Sequence, residues 1–342
     1  METLSGMGNE FMRMLVFDLA RVTEASAVAA AHYRGRGDEM QADIAAARAM
    51  RRELAELPIA GRVVIGEGQQ DEVPVLYIGE ELGRGGAEVD IAVDPLEGIS
   101  LCAKSLPGAL TVLAIAQRGG LLHAPDMYME KVAIGPGYEA GLVSLDFSVA
   151  ENLNRLAEAK GVPVREITAC VLDRPRHAKL IADIRAAGAG IALIGDGDIA
   201  GVIHTCEPEE TGIDIYLGTG GAPEGVLAAA ALRCTGGQIQ GRLCPANPGQ
   251  AKNAQALGIA DFSRKYSTAD MAAGDIVFAA TGITDGSLLH GVRFSDSQIE
   301  THTVVMRSAT RTVRWILAEH MDLQKFAPDT QDQIVAFKRG EL

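Results

Sequence analysis

Val89-Asp90-Ile91-Ala92-Val93-Asp94-Pro95-Leu96-Glu97-Gly98-Ile99-Ser100 is the stretch from which the fold is best read. Its first five residues are mostly apolar, of strand length, and read as a buried strand. Asp94 and Glu97 then stand three residues apart, where that strand should end. Pro95 fixes the turn through its locked φ, and Gly98 permits close approach to the backbone. Carboxylates at a strand end, beside exposed backbone N–H groups, suit a hard divalent cation and a phosphate together.

A turn of the same kind comes earlier. The strand Arg62–Ile65 opens into Gly66-Glu67-Gly68-Gln69-Gln70-Asp71-Glu72. Neighbouring parallel or mixed strands would bring both turns to one sheet edge. With Asp43, on a predicted helix from Met40 to Glu53, the acidic set is Asp43, Glu67, Asp71, Asp94 and Glu97. Carboxylates gathered this way repel unless neutralised, and Mg²⁺ or Mn²⁺ is the natural neutraliser. One acidic residue beside a Gly is ordinary turn chemistry. The pair of turns argues for more. No HExxH motif and no Cys/His ligand cluster is present, which disfavours zinc.

Composition bounds the alternatives. The chain has 342 residues, 47% hydrophobic and 22% charged, enough for one large or two medium domains with proper cores. Its net charge of -14 is wrong for nucleic-acid binding, which needs a basic surface. The five cysteines are scattered with no CxxC pair, and read as small buried hydrophobes in a reducing compartment. Met1 to Arg13 lacks the pattern of a secretory signal, and no run has membrane-span length. The expectation is a cytoplasmic protein with neither membrane nor nucleic-acid partners.

Along the chain, residues 1–10 read as a flexible leader and Phe11 to Tyr33 as a helix. Val75–Ile78, Leu110–Ala116, Leu121–Leu122 and Met127–Ile134 read as strands of a mixed first sheet. After Ser148, strand and helix alternate: Ile167–Leu172 with Ala178–Ala187, Gly190–Ile194 with Ile199–His204, and Ile213–Leu217 with Gly225–Cys234. That alternation predicts a parallel, helix-covered second sheet. The fold class is α/β, with a soft boundary between residues 1–147 and 148–342. Late strands at Val304–Arg307 and Val313–Ile316 return to either sheet.

Four further clusters sit at predicted strand ends. Arg174-Pro175-Arg176-His177 places two arginines where they can fork onto a phosphate, or merely begin a solvated helix. His177 there reads as a capping or surface residue. In Gly195-Asp196-Gly197-Asp198 the aspartates suit sugar hydroxyls, although helix capping is the simpler role for Asp198. Gly218-Thr219-Gly220-Gly221-Ala222-Pro223-Glu224-Gly225 lets backbone approach a ligand or a packed neighbour, and no Walker lysine follows it. Tyr128, in Pro125-Asp126-Met127-Tyr128, suits either substrate contact or core packing.

Taken together, Val64-Ile65-Gly66-Glu67-Gly68, Asp90-Ile91-Ala92-Val93-Asp94-Pro95-Leu96-Glu97-Gly98, Ala124-Pro125-Asp126-Met127-Tyr128-Met129, Pro175-Arg176-His177, Asp196-Gly197-Asp198 and Gly220-Gly221-Ala222-Pro223-Glu224-Gly225 resemble the class II (GlpX-type) fructose-1,6-bisphosphatases of the lithium-sensitive phosphatase superfamily. The likeness runs from about Leu15 to His320, with the blocks in order. It implies a layered αβαβα fold. It also implies Mg²⁺- or Mn²⁺-dependent removal of the 1-phosphate of fructose 1,6-bisphosphate, and of sedoheptulose 1,7-bisphosphate in some relatives, in gluconeogenesis or the Calvin cycle. By matching positions it makes Asp43, Glu67, Asp94, Glu97 and Glu224 metal ligands, and Asp71 the residue that orients the attacking water. Tyr128, Arg174, Pro175, Arg176, Asp196, Gly197, Asp198 and Gly221 line the sugar-phosphate pocket. Arg174 and Arg176 take the distal phosphate, while the backbone from Glu97 and Gly98 through Ile99 to Ser100 holds the reacting one. A homodimer or homotetramer is implied as well.

Three departures stand out. The family usually has Thr where this chain has Ile99, with Ser100 one place on. The run Gly37-Asp38-Glu39-Met40-Gln41-Ala42-Asp43 lacks the Lys common there. The segment from Arg242 to Ala256 is short. The first two frame an alternative: a catalytically weakened paralogue that binds sugar phosphate as a regulatory subunit. A Rossmann dehydrogenase fits poorly, since no GxGxxG links a first strand to its helix.

Overall fold

The computed structural model describes residues 2–67 and 75–327. Its strands are β1 (Ile59–Ile65), β2 (Glu81–Leu82), β3 (Ala87–Glu97), β4 (Leu110–Gln117), β5 (Tyr128–Ile134), β6 (Thr168–Leu172), β7 (Gly190–Ile194), β8 (Ile215–Gly221), β9 (Gln238–Cys244), β10 (Tyr266–Ser267), β11 (Ile276–Gly282), β12 (Arg293–Phe294), β13 (Ile299–Arg307) and β14 (Thr312–His320). The helices are α1 (Glu2–Ala31), α2 (Glu39–Ala55), α3 (Ile99–Ala103), α4 (Val149–Lys160), α5 (Ala178–Ala187), α6 (Asp198–Ile203), α7 (Pro208–Thr211), α8 (Ala222–Thr235), α9 (Pro248–Ala256) and α10 (Thr268–Met271).

β3 owes its central place to its own residues. Val89, Ile91 and Val93 alternate onto one face and pack with Leu15 and Leu19 of α1 and Met50 of α2. Ala92 points the other way, into the layer that holds α8. A strand covered on both faces carries apolar residues at nearly every position. The first sheet runs β12-β13-β11-β4-β3-β1-β2, with β14 on the free side of β13. The second runs β10-β9-β5-β8-β6-β7. Val226, Leu227 and Ala230 of α8 lie between the sheets, with Phe278 from one and Met129 from the other. On the far side, Leu153 and Leu156 of α4 and Ile184 of α5 cover Val132 and Val171. The layers are helix, sheet, helix, sheet, helix: the expected αβαβα arrangement.

β1 and β3 pair in parallel, so Gly66-Glu67 after β1 and Gly98 after β3 reach one edge of the sheet; the rest of the first turn lies outside the described residues. Four local expectations are corrected. The segment read as a leader belongs to α1, which begins at Glu2. Val75–Ile78 is not a strand. Leu76 sits buried at φ 55, and its N–H goes to the Glu80 carboxylate instead of a neighbouring strand. Leu121 forms only an isolated bridge to Ala272. The second sheet is parallel only across β7, β6 and β8, because β5 and β9 join it antiparallel.

Sheet membership also crosses residue 148. β5 precedes it but belongs to the second sheet, while β11 to β14 follow it and complete the first.

Candidate active site

Three residues apart on a regular strand, Asp94 and Glu97 would point to opposite faces. They do not, because β3 carries an extra residue there. Asp94 pairs with Val112 and Glu97 with Leu110, so β3 advances three residues while β4 advances two. Such a bulge re-aims side chains and suits a proline, which has no N–H to offer the ladder. Thr111 Oγ1 and Ser26 Oγ donate to the Pro95 carbonyl and hold the bulge. Gly98 follows at φ 81 and opens α3.

Asp94, Glu97 and Glu224 each present a carboxylate oxygen within 4.8 Å of the others. Asp43 and Glu67 line the same cavity of ≈ 380 Å³, as do Gly98, Ile99 and Asp196. Asp71, the residue assigned to the attacking water, lies outside the described residues. Burial first, and mutual repulsion second, push these acids upward. Glu67 rises to about 8 through burial and the charges of Asp43 and Glu224. Glu97 also rises to about 8, through burial, Asp198 and Glu224. Asp94 is held well above the carboxylate range by burial, then by Glu97, Glu67 and Glu224. Burial raises Asp43 and Glu224 as well.

A divalent cation fits this set. All the donors are oxygens, as Mg²⁺ and Mn²⁺ prefer. Among the described residues, Glu224 Oε2 is also buried with no hydrogen-bond partner. An orphaned carboxylate oxygen among raised acids is the kind of atom a cation satisfies.

The sugar-phosphate candidates gather beside it. Arg174 donates to the Gly195 carbonyl and to Asp196 Oδ1. Ser100 Oγ donates to Asp196 Oδ2 at 3.1 Å, so Asp196 joins the arginine to the turn after Gly98. Arg176 Nε donates to the Thr219 carbonyl, and its guanidinium lies 4.7 Å over the Tyr128 ring. Gly221 is opposite Tyr128 in the β5–β8 register. Pro175 opens the turn that carries Arg176, and Gly197 sits at φ 81 ahead of α6. Asp198 is buried behind Glu97 and does not cap α6; its Oδ2 accepts from Lys131 and Tyr216.

Three residues escaped the reading of the sequence. Lys131, 1% exposed, is the partner of Asp198. Its signal was a charged residue on the Met129–Ala133 face of an apolar strand. His177 is buried, not a cap or a surface residue. Its Nδ1 faces the Leu172 carbonyl and its Nε2 accepts from Thr219 N–H, so it braces the turn that carries both arginines against β8. Asp126, quoted only as part of a motif, lines the carboxylate cavity.

Residues 13–320 match the family model described as bacterial fructose-1,6-bisphosphatase, glpX-encoded. A protein of Synechococcus sp. (strain JA-3-3Ab), named D-fructose 1,6-bisphosphatase class 2/sedoheptulose 1,7-bisphosphatase, is 44% identical over 333 residues, covering 90% of this chain and 95% of the relative. A protein of the same name from Prochlorococcus marinus (strain MIT 9313) is 42% identical over 324 residues, covering 90% and 96%.

Proposed function

The chain belongs to the bacterial, glpX-encoded fructose-1,6-bisphosphatase family, and from that premise we propose how its residues do the work. It is a phosphoric monoester hydrolase acting on fructose 1,6-bisphosphate. The comparisons support this activity rather than the alternative of a weakened sugar-phosphate-binding paralogue.

The finer assignments are our reading. The phosphate removed is the 1-phosphate, and sedoheptulose 1,7-bisphosphate is a second substrate, in keeping with the relatives' names. Asp43, Glu67, Asp94, Glu97 and Glu224 hold Mg²⁺ or Mn²⁺. When bound, such an ion supplies positive charge to the phosphoryl oxygens and eases deprotonation of an attacking water. The rest falls to the chain. The Leu101 and Cys102 N–H groups bond back to the Gly98 carbonyl. That leaves the N–H groups of Ile99 and Ser100 at the open start of α3, where they hold the reacting phosphate. Ser100, fixed on Asp196, keeps this turn in register with the sugar, and Asp71 orients the water. Arg174 and Arg176 fork onto the distal phosphate, while Tyr128, Pro175, Asp196, Gly197, Asp198 and Gly221 shape the sugar pocket.

Residues 1–147 thus supply most cation ligands and residues 148–342 most sugar-phosphate contacts, with Glu224 crossing over. We also assign the protein to the cytoplasm as a homodimer or homotetramer. No helix among the described residues is long and apolar enough to cross a membrane.

The observation that carries the site assignment is the meeting of Asp94, Glu97 and the unpartnered Glu224 oxygen. Its test is release of inorganic phosphate from fructose 1,6-bisphosphate in the presence of Mn²⁺. Asp94→Asn should abolish it, losing more than the ~100-fold typical of outer-shell partners. Full activity in that variant, with unaltered metal demand, would reject the assignment.

A further inference from the structure

We propose that Lys131 is a positioning residue for the cation site. Its buried ammonium clasps α6 to the turn before α8, and so sets Glu97 and Glu224 in the same site. The inference rests on the carboxylate site proposed above.

Lys131 lies in β5 at 1% exposure, far too buried to touch substrate. Its Nζ donates to Asp198 Oδ2 at 2.5 Å and to the Gly221 carbonyl at 2.8 Å. Tyr216 donates to the same Asp198 oxygen at 3.3 Å. A polar side chain so buried needs partners in place of water, and here it has them.

Each partner leads to a ligand. Asp198 is the first residue of α6, and the next residue, Ile199, donates its N–H to Glu97 Oε1 at 3.2 Å. Gly221 immediately precedes α8, whose third residue is Glu224. The turn closes tightly on both acids. A Cβ at Gly220 would lie 1.9 Å from Asp198 Oδ2, and one at Gly221 would lie 1.8 Å from Glu224 Oε2. Among the described residues, Lys131 is the one side chain bonded to both the α6 aspartate and this turn. Without it, either end can drift by the fraction of an ångström that ligand geometry does not tolerate.

The test is direct Mn²⁺ binding to the full chain without substrate, read by the electron paramagnetic resonance of free Mn²⁺, with thermal melts alongside. Lys131→Met should weaken Mn²⁺ binding ~10–100-fold, as loss of an outer-shell partner does. Lys131→Arg should recover part of it. The double variant Lys131→Met/Asp198→Asn removes both buried charges, so it should regain thermal stability while Mn²⁺ binding stays at least ~10-fold weak. If Lys131→Met does not fold, the double variant carries the test by itself. Mn²⁺ affinity within about twofold of wild type, in folded Lys131→Met or in the double variant, would overturn the proposal and leave Lys131 a structural pair. A wild-type chain that binds no Mn²⁺ in this assay would instead sink the site reading, and this inference with it.

Discussion

Gly221 has an ordinary φ of -66, so its backbone does not require glycine; space does. A Cβ there would stand 1.8 Å from Glu224 Oε2 and force that carboxylate aside. Gly221→Ala should therefore lower phosphate release ~10–100-fold and raise the Mn²⁺ needed for half-maximal rate. Steady-state assays across a Mn²⁺ series check this, and an unaltered Mn²⁺ requirement would show that Glu224 is dispensable. At this scale the sequence was most readable where residue type and chemistry coincide. Asp94, Glu97 and Asp196 could be singled out because acids beside glycines recur at several strand ends, which turn chemistry at any one of them does not explain. Lys131 and His177 could not. A lysine or histidine signals nothing until its burial and partners are known, and both depend on segments distant in sequence.

At the scale of elements, the bulge in β3 decides whether Asp94 and Glu97 form a pair at all. Pro95 hinted at it, but the register against β4 made it. A second element-scale feature is a buried acid where α1 meets the end of the first sheet. Glu24 of α1 is buried 3.9 Å from His320 of β14, and burial lifts its acid to about 7. Burial also lowers His320 to about 4, so the imidazole stays neutral there. An acid raised this way holds its proton in the folded chain while the unfolded chain releases it. Stability is thus retained below pH ~4.5 and lost as pH rises toward 7. Glu24→Gln imitates the protonated acid. It should stabilise by under about 1 kcal/mol at pH 5 and by up to about 3 kcal/mol at pH 8. Denaturant melts at the two values decide it: equal effects at both would refute the buried-acid account.

Over the whole molecule, the proposed ligands come from separate layers: Asp43 from α2, Glu67 from the turn after β1, Asp94 and Glu97 from β3, and Glu224 from α8 between the sheets. Glu67 and Glu97 both move from 4.5 to about 8. Their sign is that of Glu24. The cation-free protein should lose stability steadily from pH ~4.5 to ~8, as the unfolded chain gives up protons that the folded chain keeps. Mn²⁺ bound at these acids would displace those protons. The rise in melting temperature on adding Mn²⁺ should accordingly be larger at pH 8 than at pH 6, and calorimetry in buffers of different ionisation enthalpy should detect proton release. Binding with no proton release would contradict the raised acids.

The sequence by itself determined the layered α/β class, the two strand-end acidic turns, the arginine pair and the family, because all of these rest on local pattern or contiguous motif. It misread Val75–Ile78, where Glu80 takes a backbone N–H that a strand would have used. It also misread the second sheet as wholly parallel, since strand direction is set by which distant strand docks alongside. Only the tertiary structure decided that Asp94 and Glu97 share a face, that Glu224 reaches them from between the sheets, and that Lys131 stands behind Asp198. Each of those facts depends on register and burial between segments far apart in the chain, where neighbouring residues exert no preference.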